Sequence, residues 1–145
     1  MRVWTGSWLF WALLSAAFAG LTAIFAKIGV ANINSDLATL LRTIVIAVIL
    51  ALMVAATRQY QPLASISART YAFLALSALA TGASWLCYFR ALKLGDAARV
   101  APVDKLSIVL VAVFGVLFLG ERLSAVNWLG ILLIGCGALF VAYKG

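Results

Sequence analysis

Lys27, Arg42, Asp104 and Lys105 stand inside long runs of apolar residues, where an ionisable group costs roughly 2.5–3.5 kcal/mol on membrane-insertion scales. Each therefore needs a route to water or a task. Lys27 lies about four residues from the end of its run and Arg42 about six residues, or roughly 9 Å, inside the next. Both side chains are long enough to snorkel to the membrane surface. The short Asp104 side chain is not. Asp104 and Lys105 are adjacent and so point about 100° apart on a helix. That geometry predicts that they do not pair with one another and that each faces another helix or water. Their neighbours Val100, Ala101, Ser107, Ile108 and Val109 carry no opposite charge. Pro102, two residues earlier, removes a backbone donor. It predicts a helix distorted beside a polar cavity, although proline near a helix start also serves shape alone.

The third run brings a second constellation. Ser84 and Tyr88 are one turn apart, Trp85 flanks them and Arg90 follows, so hydroxyls and a flat indole share part of one face. A small solute could rest there. The competing reading is a stripe of small residues, Ser77, Ala80, Ser84, Cys87 and Ala91, that lets another helix approach. Gly130 and Gly137, two turns apart in the last run, read as helix-packing positions.

No catalytic set accompanies these residues. The chain contains no histidine, and its two cysteines, Cys87 and Cys136, are far apart in apolar runs, so no metal site is expected. Paired carboxylates and an activated serine are lacking, and no phosphate-binding GxxxxGK[ST] loop occurs. The inventory predicts neither an enzyme nor a bound cofactor.

What must position the charges is a membrane bundle. Of 145 residues, 66% are hydrophobic and 10% charged, with a mean hydropathy of +1.15, against roughly 45–50% apolar and 25% charged in soluble domains. Apolar runs of about 20 residues cross a bilayer, and five are present: Trp8–Ala31, Leu37–Thr57, Thr70–Leu92, Ala97–Leu119 and Val126–Tyr143. The fold class expected is all-α integral membrane, one domain over residues 1–145, with short links that force an up-down bundle of five helices. Ala17-Phe18-Ala19 matches a cleavage pattern, but its run is too long for a signal-peptide core and reads as a retained helix.

Asn32-Ile33-Asn34-Ser35-Asp36 supplies turn and N-cap residues, Gly95 a left-handed C-terminal cap, and Ser124 a cap for the last helix. The longest link, Arg58 to Arg69, contains Pro62 and a Tyr60 suited to headgroup depth. Trp4, Trp8, Trp11, Trp128 and Tyr143 fall near run ends, as an aromatic belt would place them. Membrane lipids are thus the first expected partner.

The net charge of +7 comes from eleven Lys and Arg against four acids. These cations scatter around helix ends, which argues against nucleic acid and for anionic headgroups. Five spans put the termini on opposite sides. Arg2, Arg58, Arg69 and Arg122 flank one side and Arg90, Lys93, Arg99 and Lys144 the other, so the positive-inside rule gives no preferred orientation. A chain without bias can insert both ways and pair with itself, a single-chain version of inverted repeats.

Several stretches together resemble the drug/metabolite transporter superfamily, and within it short five-helix, EamA-like members of the bacterial and archaeal transporter group. They are Ala26-Lys27-Ile28-Gly29, Leu37-Ala38-Thr39 with Arg42, the segment Ser84 to Asp96, the segment Val100 to Ser107, and Phe118-Leu119-Gly120-Glu121-Arg122. The resemblance covers nearly the whole chain. It implies one half of a fold that ten-helix relatives build twice in opposite orientations, with a substrate path between the halves lined largely by their third and fourth helices. Lys27, Arg42, Trp85, Tyr88, Arg90, Pro102, Asp104, Lys105 and Glu121 sit at motif positions. The function expected is a secondary transporter or exporter of a small metabolite in the cytoplasmic membrane. It would work by alternating access as a homodimer or with a homologous half-transporter; a non-transporting accessory or lipid-handling subunit is the alternative. Lys27, Arg42 and Lys105 outnumber Asp104 inside the runs, which favours an anionic substrate. Asp104 is the carboxylate placed to carry a proton.

Overall fold

A computed structural model describes residues 7–143. Arg2, Trp4 and Lys144, counted above among flanking charges and belt aromatics, lie outside them. Six helices follow one another: α1 (Trp8–Val30), α2 (Ser35–Thr57), α3 (Ala68–Leu94), α4 (Ala97–Asp104), α5 (Ser107–Leu119) and α6 (Ala125–Ala142), with a 3-10 turn at Leu63–Ser65 before α3. No strand occurs among the described residues. With α4 and α5 taken together as Ala97–Leu119, five segments of 18 to 27 residues are long and apolar enough to cross a membrane. At 1.5 Å per residue they measure about 27–40 Å, matching a hydrocarbon core of about 30 Å. At most 11% of the residues in any span's most apolar window are buried. Most of the remainder is exposed apolar surface, open to lipid or to another protein.

Local chemistry sets the helix ends. Asn34 starts α2: its backbone is extended and its Oδ1 accepts from the amides of Asp36 at 2.8 Å and Leu37 at 3.3 Å, which satisfies two donors that a helix start leaves open. Ser124 starts α6 through a reciprocal box with Asn127. Ahead of α3, the Ser67 hydroxyl accepts from the Thr70 amide at 3.1 Å, and Tyr71 donates its hydroxyl to the Leu63 carbonyl at 3.0 Å, tying the 3-10 turn to the helix. Observed boundaries differ from the expected ones by at most two residues, and the caps of α2 and α6 lie outside the apolar runs.

Two expectations about chain geometry are corrected. Gly95 is not a left-handed cap; among the described residues positive φ occurs at Gly120 (69°) and Arg58 (52°). The reason is local, since the extended Asp96 immediately starts α4 and leaves no room for a left-handed turn. The fourth run is also not one helix. After Pro102 the bonding changes to three-residue closures, Lys105 N to Pro102 O and Leu106 N to Val103 O, each 3.0 Å, and α-helix resumes at Ser107.

The chain divides into two compact units, residues up to Phe25 with Leu94 onward, and Ala26–Lys93. In the first, α4 and α5 pack on α6. Gly135 makes the close approach there: a Cβ built on it would stand 3.2 Å from Val109 Cγ2. Arg99 of α4 donates to the Ala142 carbonyl at 3.2 Å, placing a cation on the last turn of α6, where the helix dipole favours it. In the second unit, Val30 and Leu92 are fully buried, and Ala26, Ala38, Thr39 and Phe89 nearly so.

The end of α5 shows which glycines are required. Gly120, the C-cap, donates to the Gly115 carbonyl, as does the Glu121 amide at 3.1 Å. The Glu121 carboxylate folds back so that a Cβ on Gly115 would meet its Oε2 at 2.6 Å. That carboxylate ends a flexible side chain and can swing aside, whereas a side chain at φ 69° is strained in any surroundings. Gly120→Ala is expected to lower stability by about 1 kcal/mol and Gly115→Ala by less, read as the order of their melting temperatures in detergent.

Candidate functional site

The polar end of the second unit, where α1 ends, α2 begins and α3 ends, gathers most of the candidates. Lys27 of α1 donates its ammonium to the Leu92 carbonyl at 2.7 Å, in the last turn of α3, where carbonyls have no helical partner. Lys93 does the same for the Ile33 carbonyl in the α1–α2 link. Arg90 holds Asp36 with two bonds, Nε to Oδ1 at 3.0 Å and Nη2 to Oδ2 at 2.7 Å. This fork is the planar two-point geometry that favours arginine over lysine. Both partners are well exposed, so the bond fixes the ends of α2 and α3 in register more than it adds stability.

Below this rim lies Arg42. Its guanidinium sits over the Trp85 ring, 4.2 Å from the centroid, and 5.5 Å from that of Phe89. Trp85 lies about 14 Å and Phe89 about 8 Å from the end of α3 along its axis, so the head group is nearer the deeper ring. It has not snorkelled outward. The stack joins α2 to α3 by attraction between the cation and the ring face. Tyr88 is half-buried on the same stretch of α3, while Ser84 is exposed. Of the predicted residues, Lys27, Arg42, Trp85, Tyr88 and Arg90 thus belong to one unit, and Arg42 and Trp85 touch.

Asp104, Lys105 and Pro102 belong to the other unit, at the interruption between α4 and α5. Here the expectation that adjacent charges cannot pair is overturned: Lys105 Nζ lies 3.2 Å from Asp104 Oδ2. The 100° separation assumed a continuous helix. Lys105 instead ends α4 with ψ −4° and the chain turns there, which lets its long side chain double back. Gly130 and Gly137 have no atom of their own unit within 4 Å of a built Cβ; Gly135, not singled out by its spacing, has one. No group of three or more metal-ligating side chains occurs among the described residues.

The match to known proteins covers nearly the whole chain. Residues 6–143 match the family described as the EamA-like transporter family. The chain belongs to that family. It is 71% identical over 136 residues, 94% of this chain and 96% of the relative, to a Sinorhizobium protein named "Uncharacterized transporter in cobO 3'region". No solved structure matches. With five spans and this family, the chain is a multi-pass membrane transporter. As an EamA-like protein it carries ionisable residues both within its spans and at their ends.

Proposed function

We propose that the chain is one half of a secondary transporter of a small metabolite, working as an antiparallel pair by alternating access in the cytoplasmic membrane. An odd number of spans with nearly evenly divided flanking cations carries this reading. Among the described cations near span ends, Arg58, Arg69 and Arg122 flank one side and Lys27, Arg90, Lys93 and Arg99 the other, so neither orientation is strongly favoured on insertion. The extensive uncovered apolar surface of the spans supports a partner, and the Sinorhizobium relative, matched over 96% of its own length, has the same single-half size. The substrate path runs past Arg42, Ser84, Trp85 and Tyr88, with Lys27 and Arg90 at its rim. Asp104 and Lys105, beside Pro102, form a second polar station where a proton is taken up and released. Cations set inside the spans favour an anionic substrate.

Reporters fused after Gly145, one active only in the cytoplasm and one only outside, test the pairing at matched expression. Activity from both is expected. Activity from one alone would rule out the antiparallel self-pair and turn the search to a partner of opposite orientation.

A further inference from the structure

Four cations of the second unit lie near its polar end, and three of them donate to an oxygen: Lys27 to Leu92, Lys93 to Ile33, and Arg90 to Asp36. Arg42 donates to no oxygen among the described residues; its guanidinium lies over the rings of Trp85 and Phe89 and interacts electrostatically with Tyr88. A guanidinium over an aromatic face keeps its N–H groups in its own plane, directed past the ring edge. The stack therefore occupies a face of Arg42 and leaves its donor edge available, held at a fixed angle about 10 Å inside α2.

We propose that this edge binds the carboxylate of a monoanionic substrate with an apolar body, a reading that rests on the transporter role proposed above. A planar carboxylate matches the two-point fork. The single charge follows from depth: Lys27 and Lys93 sit on main-chain carbonyls at the polar end, leaving one cation of this unit at the level of Trp85. A dianion there would lose the hydration of two charges against one guanidinium. The apolar body follows from Trp85 and Phe89, which present rings to the head group. The lysines at the rim raise the local concentration of anions without holding them.

The test uses the full chain in phosphatidylcholine nanodiscs and three probes with one phenyl body and different heads: radiolabelled benzoate, with phenyl phosphate and benzylamine as competitors. Benzoate is expected to bind and both competitors to displace it at least about tenfold less well than unlabelled benzoate. Arg42→Met should weaken benzoate binding at least about tenfold, and Arg42→Lys, which keeps the charge but not the fork, by less. Equal or better competition by either other head, or undiminished binding to Arg42→Met, would overturn the assignment. So would an absence of benzoate binding, including the case in which the wild-type chain, but not Arg42→Met, retains phosphatidylglycerol through purification and Arg42 proves to be a lipid-phosphate anchor. The head-group series on the wild-type chain decides the matter even if Arg42→Met does not fold. Loss of the benzoate preference with both topology reporters active removes the substrate class and keeps the paired transporter; the opposite result removes the pairing and keeps the site.

Discussion

Asp104→Asn is expected to lower uptake driven by a pH gradient by about tenfold or more, with the amount of protein in the membrane unchanged. The carboxylate stands at the interruption between α4 and α5 with the Lys105 ammonium 3.2 Å away. Asparagine keeps the shape and a weaker hydrogen bond but cannot carry a proton, so the substitution tests the coupling role proposed for Asp104. Exchange of labelled for unlabelled solute without a pH gradient should survive the substitution, which separates a coupling defect from a damaged path. Retained pH-driven uptake in Asp104→Asn would remove Asp104 from the coupling mechanism.

Leu92→Ala should give the largest loss of stability, about 2 kcal/mol. Leu92 is fully buried, and truncating such a leucine leaves a cavity that costs about 2–5 kcal/mol in water-soluble proteins. The lower end applies because lipid tails are as apolar as the lost side chain, so the penalty is mainly lost packing. The residue also presents the carbonyl that accepts from Lys27, and a slackened α3 end weakens that bond too. Leu94, two residues on and 90% exposed, is the control: Leu94→Ala should change stability by less than about 0.5 kcal/mol. Equilibrium unfolding in mixed micelles measures both, and equal losses would show that the end of α3 is not a packed core.

The five spans were legible because apolar length is set by the bilayer and needs no tertiary information. The caps at Asn34 and Ser124 were legible for a similar reason, since each acts within three residues. What the residues could not announce was contact at long range. Asp36 and Arg90 are 54 positions apart, and nothing local to either points to the other. Nothing in the spacing of Phe89 marks it as the residue that α2 brings against Arg42. The pairing of Asp104 with Lys105 is hidden for the converse reason: a continuous helix would turn adjacent charges apart, and α4 ends between them. Gly135 escaped notice beside Gly130 and Gly137 because closeness of approach depends on what lies opposite, here Val109, and not on spacing along α6.

The interruption of the fourth span divides it unequally, with α4 about 12 Å and α5 about 20 Å long. In an antiparallel pair the two interruptions would not meet at the midplane; they would lie about 8 Å apart in depth, one toward each surface. A solute or proton crossing such a pair would pass two equivalent stations in succession, each nearer to one compartment, so one residue set would serve as both entrance and exit. A substitution at Asp104 would then act twice, and a pair carrying it in only one copy should become directional where the natural pair is symmetric.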